Sequence, residues 1–132
     1  MKTLRIGIAS LAVMKARTLA IARGALKPGA DEPKLWFTSI ESLARVLSDK
    51  NRGLLDLIIE RQPNSLAELE ALSGRAKSNL SRTLKSMQRF GLVELLKGEG
   101  GALKPRVPYG QIKLDFPVGQ RHDARALARA PV

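Results

Sequence analysis

The 132-residue chain contains no cysteine and a single histidine, His122. Disulfides, thiolate metal sites and thiol redox chemistry are thereby excluded. One histidine cannot build the usual imidazole metal clusters or a convincing Ser-His-Asp triad, and His122 lies in a polar stretch where it reads as an exposed residue. Acids are also scarce, 12 Asp and Glu against 23 Lys and Arg, and none of them forms a constellation suited to general acid–base work. We therefore expect no enzyme: no catalytic residues, no cofactor and no metal. No apolar run reaches the length of a membrane-spanning helix. The amino-terminal MKTLRIGIASLAVM begins basic and continues apolar, but Arg5, Lys15 and Arg17 interrupt it before Ala20-Ile21-Ala22, which resembles a cleavage site. A secretory leader needs an unbroken apolar stretch there, so the expectation is an intact cytoplasmic protein with no membrane partner.

What is present is positive charge, unevenly placed. The formal net charge is +11. Residues 1–72 hold 11 basic and 8 acidic side chains, a balance of +3, and residues 73–132 hold 12 and 4, a balance of +8. Such an excess makes nucleic acid the first partner to consider, ahead of an anionic membrane surface or an acidic protein. The 44% hydrophobic content is ordinary for a globular chain, and the length allows one domain with a modest core.

The basic half opens on SLAELEALSGRAKSNLSRTLKSMQRFGLV, residues 65–93. Leu66, Leu69 and Leu72 fall at helical spacing, with Ser65 as a start signal after Pro63-Asn64. Ser73-Gly74 supplies a sharp break. A second helix follows, with Leu80, Leu84 and Met87 on one stripe. At 100° per residue, Ser78, Arg82, Lys85, Ser86 and Arg89 gather on the opposite side. Between Ser73 and Val93 there is no acid, while Arg75, Lys77, Arg82, Lys85 and Arg89 are all present. A solvated helix face ordinarily mixes both signs, so this pattern favours a groove walled by phosphates. The basic helix has no interleaved aromatics, which counts against single-stranded or non-specific RNA binding by stacking.

Elsewhere the pattern is coarser. Residues 2–9 alternate through Leu4, Ile6 and Ile8 and read as a strand; residues 11–26 read as a helix with Leu11, Met14, Leu19, Ala22 and Leu26 apolar. Lys27 to Pro33 is a linker by composition. Lys34 to Thr38 is a short extended segment that sends Trp36 and Phe37 to opposite faces, one for the core and one for a subunit contact. Ser39 and Asp49 are capping residues for two further helices, the second running from Lys50 to Arg61 and buried through Leu54, Leu55, Ile58 and Ile59. Leu92 to Leu96 reads as a strand, Lys97 to Gly101 as a glycine-rich hairpin turn, and the return strand is irregular because Pro105 and Pro108 cannot donate to a ladder. Residues 111–116 alternate through Ile112, Leu114 and Phe116 and are a match for residues 2–9, within one chain or across a dimer. Beyond Pro117 the chain is rich in Ala and Arg.

Helix, helix, turn, helix and a glycine-tipped hairpin is the order of a winged helix-turn-helix. The wording SNLSRTLKSMQRFGLVEL is similar to winged-helix regulators of the MarR and ArsR type. The stretch from Trp36 to about Phe116 also resembles a small, poorly characterised group of short prokaryotic winged-helix proteins, some of which accompany toxin genes as antitoxins or autoregulators. The resemblance implies an α+β, mainly helical fold with a short β-hairpin wing. The expected organisation is an added strand-helix extension at 1–26 as a candidate dimerisation element, a linker at 27–33, the winged domain at 34–116 and a basic flexible tail at 117–132. It further implies a homodimeric, sequence-specific binder of double-stranded DNA that acts as a repressor. The alternative is an antitoxin-type module that neutralises a small partner protein and binds DNA secondarily.

Carried onto this chain, the resemblance sets Arg75, Lys77, Ser78, Asn79 and Arg82 at the start and exposed face of the reading helix. Arg82 suits a bidentate contact to guanine and Asn79 one to adenine, with helix-start capping the equal alternative for Asn79. Ser78 and the helix amino terminus suit a phosphate. Lys85 and Arg89 would meet backbone phosphates, and Lys97, Lys104 and Arg106 on the wing would meet the flanking backbone or minor groove. The short wing with Glu99 near its tip departs from typical members and argues against deep insertion.

Overall fold

A computed structural model describes residues 2–27, 29, 32–116 and 118. Among them the fold is α+β, with five α-helices, a three-stranded sheet and a two-stranded hairpin. Contacts divide the chain into two units, one built on residues 44–110 and the other on residues 3–43 together with the strand from Gln111.

The second unit begins with β1 (Lys2–Ile8), α1 (Leu11–Ala22) and β2 (Leu35–Phe37). β2 pairs parallel to β1 in the register Ile6↔Leu35, Gly7↔Trp36, Ile8↔Phe37. Parallel neighbours need a crossover, and α1 supplies it. Ser10 caps α1, its Oγ accepting from the Val13 amide at 3.2 Å. The helix is shorter than the expected 11–26: it ends at Ala22, and the chain turns through Gly24 at φ 75°. That left-handed geometry stops a helix and suits glycine. None of α1's own residues is buried, and of the apolar positions Leu11, Met14, Leu19, Ala22 and Leu26 only Leu26, beyond the helix, is buried. The segment read as a linker carries Glu32, which pairs with Arg17, and the Arg17 guanidinium lies 5.3 Å from the Trp36 ring centroid. Phe37 is buried, whereas Trp36 is half-buried and covers Gly7, where a Cβ would come within 2.5 Å of the ring. β5 (Tyr109–Asp115) completes the sheet in the order β2-β1-β5, so the matched alternation of residues 2–9 and 111–116 is satisfied within one chain. Sequence composition had separated 1–26 from 34–116; the parallel ladder instead groups β2 and the start of α2 (Ile40–Val46) with β1. The tail at 117–132 lies outside the described residues except for Val118.

The first unit holds α3 (Asp49–Arg61), α4 (Leu66–Ser73), α5 (Lys77–Arg89) and the hairpin of β3 (Glu94–Lys97) and β4 (Leu103–Arg106). Ser48, not Asp49, caps α3, its Oγ accepting from Asn51 N at 3.2 Å. Asp49 occupies the first turn, where a carboxylate favours the helix dipole. Leu54, Leu55 and Ile58 are buried, and Ile59 is only half-buried. With Leu66, Leu69, Leu80, Leu84, Met87, Leu92 and Val93 they form the core. α4 packs on α3 and α5, and β4 on α3 and α4. Fully burying an aliphatic side chain of this kind contributes about 1.5–3 kcal/mol, so this seam fixes which way α5 faces. The hairpin is regular where irregularity was expected: Pro105 stands in the ladder opposite Leu95. In a two-stranded ladder alternate amides point away from the partner, which leaves room for a proline.

Candidate nucleic-acid interface

Local signals put α4 and α5 where they are. Ser65 Oγ accepts from Glu68 N at 3.0 Å, and the Glu68 carboxylate accepts from Asn64 N at 3.1 Å. This is close to a reciprocal capping box, displaced by one residue. Ser65→Ala should cost about 1 kcal/mol, read as a lower urea midpoint with an unchanged slope; an unaltered midpoint would contradict the capping role. Gly74, at φ 73°, closes α4 with its amide on Glu70 O at 2.9 Å. The chain can then start α5 three residues later.

The start of α5 is unusual. Ala76 is the capping residue and has no side chain to offer. The Glu70 carboxylate, reaching from α4, accepts from Lys77 N at 2.8 Å instead. A negative group therefore already sits on the helix amino terminus, a position the sequence pattern had offered to a phosphate. The Lys77 amide is used inside the protein.

Leu80, Leu84 and Met87 are 0–1% exposed and face the core. The opposite side carries Ser78, Arg82, Lys85 and Arg89, all exposed, with Ser86 half-buried beside them; Lys77 is also exposed, at the helix start on the side of Leu80 and Leu84. Among the described residues none of these cations is in an ion pair, and α5 contains no acid. Their charges remain available to an anionic partner.

Arg75 and Asn79 are in a different situation. Both are half-buried. Arg75 Nε donates to Asn79 Oδ1 at 2.8 Å, its Nη1 to Asn51 Oδ1 at 3.2 Å and its Nη2 to Thr83 Oγ1 at 3.0 Å. Asn51 in turn donates from Nδ2 to Val46 O at 3.0 Å, at the carboxyl end of α2. One guanidinium thus ties the start of α3 to two successive turns of α5. Adenine reading by an Asn needs its oxygen as well as its amide, and Asn79 Oδ1 is already engaged. Asn51 and Thr83 were not singled out from sequence. Thr83 follows Asn79 by four residues and so shares its face, a spacing that could have marked it. Asn51 carried no such sign.

The hairpin register sorts the remaining cations. Glu94↔Arg106 and Leu96↔Lys104 are opposite pairs, as are Leu95↔Pro105 and Lys97↔Leu103. Side chains alternate along a strand, so Lys104 and Arg106 share one face of the hairpin and Lys97 lies on the other. Arg106 has an acid directly across from it. Gly98 N donates to Ala102 O at 2.6 Å to close the hairpin, and Gly100 and Gly101 take φ 65° and 79° in the turn. The Glu99 side chain lies outside the described residues.

The family model HVO_A0114 matches residues 46–114, just over half of the chain. The chain belongs to the HVO_A0114 family. The matched span contains α3 to β4 and most of β5, and leaves β1, α1 and β2 outside it. No curated protein and no solved structure matches. Among the described residues no helix is long and apolar enough to cross a membrane, and no group of His, Cys, Asp and Glu could hold a metal ion.

Proposed function

We propose that this member of the HVO_A0114 family is a winged helix-turn-helix regulator that binds specific double-stranded DNA as a homodimer and represses by occlusion. The observation that carries the reading is the split of α5, with Leu80, Leu84 and Met87 buried and Arg82, Lys85 and Arg89 exposed and unpaired among the described residues. A helix held so rigidly on one side and so basic on the other suits the major groove. Arg82, at the middle of the exposed face, reads a base edge; Lys85 and Arg89 hold phosphates. Lys104 and Arg106, on one face of β4, meet the flanking backbone. Arg75 and Asn79 position α5 and do not touch bases.

Binding to DNA from the protein's own upstream region, at two salt concentrations and against random competitor, tests this. Each neutralised phosphate releases about 0.9 counterion from B-DNA. Engagement of Lys85, Arg89, Lys104 and Arg106 by both copies, eight phosphates in all, therefore predicts a log–log salt slope of about −7. Preference for the upstream DNA should persist at the higher salt. Binding without preference at either salt would contradict a regulator.

A further inference from the structure

β5 is an edge strand: among the described residues β1 pairs along one side of it and nothing along the other. An open edge is a template for another strand. Gly110 to Phe116 are exposed throughout. Alternation puts Ile112, Leu114 and Phe116 on one face, at 37, 52 and 40% exposure, and Gln111, Lys113 and Asp115 on the other. Natural edges are usually blunted by charge, proline or a bulge; this one carries Lys113 and Asp115 on one face but three large apolar side chains at alternate positions on the other.

We propose that this edge pairs with the same edge of a second copy of the chain, antiparallel and with its two-fold axis at Leu114. The strand is self-complementary in that register. Leu114 meets the partner's Leu114, and Ile112 meets the partner's Phe116, an aliphatic–aromatic pair of the kind that stabilises antiparallel ladders. On the other face Lys113 meets the partner's Asp115, and symmetry makes that ion pair twice. An axis at Lys113 would set two lysines against each other. An axis at Ile112 would oppose Lys113 to the partner's Gln111 and Leu114 to the partner's Gly110, with no ion pair. An axis between residues would place apolar side chains across from charged ones on the same face. An isologous two-fold contact of this kind closes on itself as a dimer. The interface deepens the dimeric part of the proposed function but needs no DNA to form.

The chain's lack of cysteine makes the test clean. Directly opposed residues in an antiparallel pair have Cα atoms about 4.5–5.5 Å apart, inside the window a disulfide spans. Leu114→Cys should therefore cross-link into a dimer on oxidation. Ile112→Cys should not, because two copies of residue 112 lie four positions out of register, about 13 Å along the strand. Asp115→Lys should weaken the dimer on the order of tenfold by opposing lysines twice per interface, and Lys113→Asp combined with it should restore it. Sedimentation without DNA reads the association, and circular dichroism confirms that each exposed-edge variant folds. A wild-type chain that is monomeric at high micromolar concentration overturns the proposal. So does cross-linking through residue 112 but not 114, or a charge reversal that the double exchange fails to rescue. A monomer that still prefers its upstream DNA would remove this interface and leave the DNA reading standing. A Leu114-linked dimer with no DNA preference would do the reverse.

Discussion

Arg75→Ala should lower the unfolding free energy by about 2–3 kcal/mol and weaken DNA binding on every sequence alike. The guanidinium donates to Asn51, Asn79 and Thr83 at once. A hydrogen bond from a charged donor contributes about 1.5–3 kcal/mol, and bonds within one network do not add. Arg75 is half-buried, so water replaces part of what is lost and the expected figure stays at the lower end of the summed range. Removing the side chain also frees the start of α5 from α3, which loosens the orientation of the basic face. Lysine cannot substitute: one ammonium cannot span three acceptors in the geometry of a planar fork. Arg75→Lys should therefore recover less than half of the loss. Urea unfolding measures both variants. A change below about 0.5 kcal/mol, the usual size for a free surface residue, would mean that Arg75 is not structural, and a loss of discrimination confined to one base pair would make it a base-reading residue.

Arg82→Ala should behave in the opposite way. Its side chain is exposed on α5, and the residues that flank it on the helix, Ser81 and Thr83, face partly inward. Removing it should leave stability within about 0.5 kcal/mol of the parent. On the specific site it should cost about 1–3 kcal/mol and relax discrimination at one position, as loss of a bidentate guanine contact does. Arg89→Ala, at the end of the same helix, should weaken specific and random DNA equally and make the salt slope shallower by about 2, one phosphate contact from each copy. Equal losses on specific and random DNA from Arg82→Ala would remove it from base reading. The two arginines thus divide cleanly by measurement: Arg75 through folding, Arg82 through discrimination.

The parts of the fold written in local patterns were legible. Ser65 and Gly74 bound α4 because a capping hydroxyl and a left-handed glycine act on their nearest neighbours. Leu80, Leu84 and Met87 revealed the inner face of α5 because helical periodicity is itself local. What escaped is long-range. The amino terminus of α5 is capped by Glu70 from another helix, and no spacing rule connects a carboxylate to an amide seven residues on. Arg75 looked like one cation among five, since its partner Asn51 lies 24 positions away in sequence. α1 was legible as a helix, but its end at Ala22 and its exposure were not. Its apolar residues fit a helix, but a single crossover over a narrow sheet leaves Leu11 and Leu19 more than half exposed. Pro105 misled because a proline rules out only the donor it lacks, and the register determines whether that donor was needed.

Selection of duplex DNA from a randomised pool asks whether α5 reads base pairs. Wild-type protein and Arg82→Ala should be compared at near-physiological salt. Wild type should enrich one motif, repeated as a dyad with half-sites about 10–10.5 base pairs apart, and Arg82→Ala should lose a conserved guanine from each half. A pool that stays random after selection by the wild-type protein would contradict base reading by α5.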